Sequence, residues 1–187
     1  MGLFEFLMVL ISVVIGLGLT EILTGAANLL RARDSVRFHW IHVLFQVGVF
    51  FALLQQWWES WDLNFVGEIS FFRVLVLLSS PVFLFLITNL LYPRDPEGSD
   101  LQEYYYRQAP LLWGLVVVST VIGTFLGPLV EGDPVFEPGN FSGIPMIIIC
   151  TVLASSRNQK THSILAPIIL ILVILDTILV NPAISGG

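Results

Sequence analysis

Apolar positions in this chain run in blocks. Six uncharged apolar stretches cover roughly residues 6–30, 40–58, 74–92, 108–130, 138–156 and 163–180, interrupted only by Glu21 in the first and Asp176 in the last. Each approaches the roughly 20 residues a helix needs to cross a bilayer. The pattern predicts an all-α polytopic integral membrane protein. Its six transmembrane helices, over about 3–30, 40–61, 71–92, 110–130, 141–156 and 163–180, are joined by short loops. The fifth is the weakest: its apolar core, about 144–154, is near the length at which a re-entrant segment competes with a span. Pro81 and Pro167 predict kinks in the third and sixth helices.

Charge orients this bundle. Seven of the eight basic residues fall in the first, third and fifth connections: Arg31, Arg33 and Arg37; Arg94 and Arg107; Arg157 and Lys160. The second and fourth connections hold Glu59, Asp62, Glu68, Glu131, Asp133 and Glu137, with no Lys or Arg. Basic loops stay cytoplasmic during insertion, so both termini are expected outside a prokaryotic inner membrane. Trp57, Trp58 and Trp61 form an aromatic belt at the outer end of the second span, and Tyr104–Tyr106 mark the return to the inner interface. Glu5 and the lack of basic residues before it argue against a signal peptide, so the first segment is expected to stay as a span. Longer than a bilayer requires, it should tilt or project.

Composition leaves no room for a soluble domain. The chain is 56% hydrophobic and 12% charged, with a mean hydropathy of +0.86. Residues 1–187 therefore read as one transmembrane domain. The net charge of −6 and the absence of a basic patch give no basis for nucleic-acid binding. A single cysteine, Cys150, precludes an intrachain disulfide. There is no HExxH and no GxSxG, and the one lysine, Lys160, lies in a loop, away from any retinal Schiff base. No enzyme activity, cofactor or metal is expected. His39, His42 and His162, with Glu21 or Asp34, support a metal set only weakly by spacing.

Charged groups at membrane depth cost roughly 2.5–3.5 kcal/mol on insertion scales, so they carry the information. Glu5, Arg73 and Asp176 fall at matching depth near the outer interface and predict a paired cluster. The bland alternative is that Glu5 and Arg73 each snorkel to the surface. Glu21 shares a helical face with Gly18, Thr24, Gly25 and Asn28. His42 and Gln46 on the second helix, and Asn89 on the third, come to a similar depth. An inner polar cluster of Glu21, Asn28, His42, Gln46 and Asn89 is expected. It can carry protons through a Glu–His pair, line a pore or pocket, or only hydrogen-bond the helices together. Ser119, Gly123 and Gly127, at four-residue spacing, predict close helix packing.

These features favour a pathway for an ion or small solute, proton-linked through Glu21 and His42. The rival is a non-catalytic subunit or scaffold of a larger membrane complex. The expected partners are the bilayer and either further copies of the chain or other membrane subunits. A continuous wet cavity between the two clusters would separate the readings.

Overall fold

The computed structural model describes residues 2–61, 70–128 and 143–180, without the side chains of 176–180. The described residues form six helices: α1 (Leu3–Arg31), α2 (Trp40–Glu59), α3 (Phe71–Leu91), α4 (Leu101–Val121), α5 (Gly143–Ser155) and α6 (Gln159–Val180). Four are long and apolar enough to cross a membrane: α1, α2, α3, and α4 with its continuation to Leu126. They suggest a membrane protein. The 13 residues of α5 extend about 20 Å, short of a roughly 30 Å hydrocarbon core. The helix α6 runs 22 residues, Gln159–Val180.

The packing face of α1 is a narrow stripe. Leu7, Ile11, Ile15, Gly18, Ile22, Gly25 and Leu29 are buried, at steps of three and four that keep them on one side of a helix. Leu17, Leu23 and Leu30 lie off the stripe and are exposed. In lipid such a stripe is held by close packing, since the surroundings are equally apolar. Its two glycines make that packing possible. A Cβ on Gly18 would lie 3.1 Å from Leu53 Cδ2, and one on Gly25 would overlap the Tyr92 ring. The 29 residues of α1 extend about 43 Å, longer than the hydrocarbon core.

Around this stripe, α1 packs on α3 and α2, α4 on α5 and α3, and α6 on α2 and α5. Ile11, Ile15, Val49, Leu53, Ile87, Leu112 and Leu153 belong to one apolar core.

The fourth helix starts nine residues earlier than the apolar pattern implied. Asp100 caps it: Oδ1 accepts the Gln102 and Glu103 N–H groups at 2.9 and 3.2 Å. This satisfies orphan donors of the first turn. Leu101, Tyr104 and Tyr105 are buried, so a segment that reads as interfacial forms the first turns of a packed helix. Beyond Val121, residues Ile122–Leu126 form a π turn, and Gly127 N–H bonds to the Ile122 carbonyl.

Two connections are zipped together. Arg37 N–H donates to the Ser99 carbonyl and Leu101 N–H to the Arg37 carbonyl, both at 3.0 Å. An Arg37–Asp100 ion pair of 3.1 Å lies alongside. The second connection reaches this position through a turn closed by Ser99 N–H on the Pro96 carbonyl. Gly98 takes φ 69° there, a conformation that glycine adopts without strain.

Candidate functional site

The C-terminal end of α3 organises the polar groups. A helix leaves its last carbonyls without intrahelical partners. Here other helices supply the donors. His42 Nε2–H on α2 donates to the Leu91 carbonyl at 2.8 Å. The Tyr104 hydroxyl on α4 meets the Leu90 and Tyr92 carbonyls at 2.9 and 2.8 Å. Tyr92 itself caps α3, and its hydroxyl donates to the Ile22 carbonyl of α1 at 3.1 Å. Gly25 leaves the space for that ring. The Tyr92 hydroxyl is the donor in this bond.

A second bonded chain crosses α4 and α6. Trp113 Nε1–H donates to the Tyr105 oxygen at 3.0 Å. The Tyr105 hydroxyl donates to His162 Nδ1 at 2.9 Å, and His162 Nε2–H donates to the Ser156 carbonyl at 2.8 Å. Tyr105 and His162 are both fully buried. The hydroxyl–imidazole pair has the polarity of an activated nucleophile, but with no exposed surface it cannot meet a substrate. His39 packs 6.1 Å from the Tyr105 ring and 5.9 Å from the Tyr106 ring, centroid to centroid. Desolvation lowers the His39 pKa, opposed by the nearby Asp100 carboxylate.

The inner polar residues divide into two sets. His42 and Gln46 form one: Gln46 Nε2 donates to His42 Nδ1 at 2.8 Å, so both ring nitrogens are engaged. Among the described residues no hydrogen bond joins this pair to Glu21. Glu21, Asn28 and Asn89 form the other set. They line a recess of about 350 Å³ between α1 and the α3–α4 connection, with Thr24, Tyr92 and Arg94. Glu21 is half-buried at the edge of the packing stripe, between Gly18 and Gly25. Asn28 Oδ1 accepts from Arg31 at 3.2 Å. Among the described residues, nothing hydrogen-bonds or ion-pairs with the side chains of Glu21, Thr24, Asn89 or Arg94.

A larger recess of about 580 Å³ shares Asn89, Tyr92 and Arg94 and extends to Asp100, Glu103 and Arg107. Several of its charges are already engaged. Asp100 holds the α4 N-terminus and Arg37, which keep its carboxyl below the usual range. Asp95 accepts the Glu97 N–H at 3.2 Å. Arg107 lies over the Tyr104 ring, 5.4 Å from its centroid.

The outer residues are placed separately. Glu5 is exposed and its Oε2 accepts the Gly2 N–H at 2.9 Å. A carboxylate there favours the positive end of α1. Arg73 is half-buried in the first turn of α3, where its N–H is capped by Ser70 Oγ at 3.2 Å. The Asp176 side chain lies outside the described residues, as does its expected contact with Arg73. On α4, Ser119 Oγ donates to Ser80 Oγ at 3.5 Å, and Ser80 donates to Gln56. Gly123 is exposed within the π turn, and a Cβ on Gly123 or Gly127 would meet nothing within 4 Å. No group of three or more His, Cys, Asp or Glu that could hold a metal ion occurs among the described residues.

Tyr92, Arg94, Tyr104, Tyr105, Trp113 and His162 are absent from the clusters expected from sequence. For the tyrosines and Trp113 the available signal is that buried Tyr and Trp carry a polar end needing a partner. It could not be applied to Tyr104–Tyr106 read as interfacial.

The bundle and its capped carbonyls define a helical protein with four candidate membrane spans. The chain matches no family profile, no curated protein and no solved structure.

Proposed function

We propose that this chain is a non-catalytic subunit or scaffold of a larger assembly in a prokaryotic inner membrane. It crosses the bilayer six times with both termini outside. The observation that carries this reading is an apolar layer within the bundle. On α2, ten residues separate Gln46 from Gln56, about 15 Å along the axis. Val49 and Leu53 lie between them and pack in the apolar core with Ile15, Ile87 and Leu112. The interior His42, Tyr105, Trp113 and His162 side chains are bonded within the bundle, as helix-joining groups would be. A pathway reading draws on Gln56, Ser80 and Ser119, which place a bonded polar step beyond that layer. It requires the layer to open, or a route between copies.

Ion flux from purified protein in liposomes separates the two. The scaffold reading expects proton, potassium and chloride leak equal to empty liposomes, and migration with other subunits after mild detergent extraction. Flux well above empty liposomes, lost in Glu21→Gln, overturns it in favour of a proton-linked pathway. Orientation has its own test in a Cys150→Ala background. Cysteines at Asn64 and Gly139 should react with an impermeant thiol reagent in intact cells, and one at Ser99 should not. Labelling at Ser99 would reverse the topology.

A further inference from the structure

The smaller recess has the features of an amphiphile site. Its depth is fixed by Tyr92, which ends α3 and bonds to the carbonyl of Ile22, next to Glu21. Glu21 therefore sits level with the end of a candidate span, at the height of lipid headgroups rather than at the bilayer centre. The recess presents one carboxylate, Glu21, and one guanidinium, Arg94, with Thr24 and Asn89 beside them. Glu21 and Arg94 are not within ion-pair distance of each other, and among the described residues neither has another bonding partner. A carboxylate on α1 and a guanidinium on the α3–α4 connection, held apart across one recess, match a ligand that carries both charges.

An apolar track leads away from the recess. Leu17, one turn before Glu21 on α1, is exposed, as are Leu86 and Val82, one and two turns before Asn89 on α3. Three- and four-residue spacing sets each on the face of its polar neighbour. Polar groups at the headgroup level above exposed aliphatic side chains suit a lipid better than a free solute.

We infer that the recess between α1 and the α3–α4 connection binds a zwitterionic aminophospholipid through its headgroup. The primary ammonium lies on Glu21, with Thr24 Oγ1 as a further acceptor. The phosphate lies on Arg94, whose fork suits phosphate oxygens, with the Asn89 amide as a second donor. The acyl chains follow Leu17, Leu86 and Val82. A quaternary ammonium has no N–H to donate, and an anionic glycerol headgroup has no cation for Glu21. Both should bind less well.

The inference depends on membrane embedding and not on the scaffold role. The test is lipid binding to the purified full chain in detergent, followed by native mass spectrometry with phosphatidylethanolamine, phosphatidylcholine, phosphatidylglycerol and free phosphoethanolamine. Phosphatidylethanolamine should bind about tenfold more tightly than the other two lipids, the size of one charge-assisted hydrogen bond. Glu21→Gln should remove that preference, and Arg94→Gln should weaken all three lipids about tenfold, since each carries the phosphate. Free phosphoethanolamine should bind weakly. Equal affinity for all three lipids, a preference for phosphatidylglycerol, a preference unchanged in Glu21→Gln, or lipid affinity unchanged in Arg94→Gln overturns the proposal. Free phosphoethanolamine binding as tightly as the lipid overturns the lipid source. If Glu21→Gln does not fold, Arg94→Gln decides, because Arg94 lies outside the helices. Failure of lipid selectivity leaves the scaffold reading standing. Recovery of the chain without membranes removes both.

Discussion

Tyr105 and Glu21 lie at the same end of the bundle and are treated in opposite ways. The Tyr105 hydroxyl is fully buried, accepts from Trp113 and donates to His162. The Glu21 carboxylate is half-buried beside a recess, and among the described residues nothing bonds to it. The first arrangement suits a low-dielectric interior, where each unpaired group is costly and a complete network makes one packing unique. The second suits a rim that a headgroup, water or another molecule can reach. Polar side chains on membrane helices thus divide by whether their hydrogen bonds close within the chain. Only the open set offers binding capacity.

The boundary between the regions is the Tyr92 ring, and the largest expected effect comes from displacing it. A Cβ on Gly25 would overlap that ring. Gly25→Leu should therefore cost about 3 kcal/mol, at the upper end of overpacking penalties. Thermal unfolding in detergent reads the loss. Gly16→Ala is the control, because a Cβ there meets nothing within 4 Å. It should be neutral or stabilise by up to about 1 kcal/mol. Equal losses in the two variants would mean that helix backbone, not the Tyr92 seat, sets the cost.

Next in size is the closed network. Tyr105→Phe keeps the ring but strands the Trp113 N–H and His162 Nδ1. Leaving buried groups unpaired should cost about 2 kcal/mol. Adding Trp113→Phe removes one stranded donor, so the double variant should lose less than the sum of the single changes. Strict additivity would show that the chain Trp113–Tyr105–His162 does not act as a unit.

The helical character and the first three candidate spans were legible in the sequence because long apolar blocks need no partner to be recognised. The start of α4 was not. Tyr104–Tyr106 and the arginines around them look interfacial, and only the Asp100 cap and the seat on α3 carbonyls turn them inward. The inner polar residues were legible as candidates but not in their grouping or bonding. Helical spacing placed Glu21 and His42 at similar depth. Spacing alone does not reveal that the Leu91 carbonyl, one of the last of α3, takes the His42 proton. Nor does it reveal Tyr92 reaching α1, because that contact depends on Gly25, seven residues from Gly18 on one stripe. Arg94 was read only as a topology signal, since its place on the recess follows from the turn after α3.

Acid should act beside the closed network, through His39, whose buried Nε2 has no hydrogen-bond partner among the described residues. Its pKa is lowered below the ordinary 6.5, mainly by desolvation. A lowered histidine pKa favours the folded state while the ring is neutral. That contribution is full above pH 6.5 and is lost as pH falls through the folded-state value. The unfolding temperature should therefore drop below pH 6.5, and His39→Phe should flatten part of the drop. Asp100 opposes the shift, so Asp100→Asn should move the His39 step to lower pH. A step that moves to higher pH would mean that the two groups do not interact as placed.

The smallest stability effect should come from the open side. Glu21→Gln keeps the shape of the side chain and removes its charge. No bond within the described bundle depends on that charge, and Gly18 and Gly25, which carry the packing, are untouched. The unfolding free energy should change by less than about 0.5 kcal/mol, the range of substitutions away from structural contacts. Gln46→Leu makes the counterpart, since it takes a donor from His42 Nδ1 and should cost about 1 kcal/mol. Denaturation of both variants in one detergent measures the contrast. A Glu21→Gln loss as large as that of Gln46→Leu would mean that Glu21 bonds within the bundle. The division into a closed interior and an open rim would then fail at the residue that defines it.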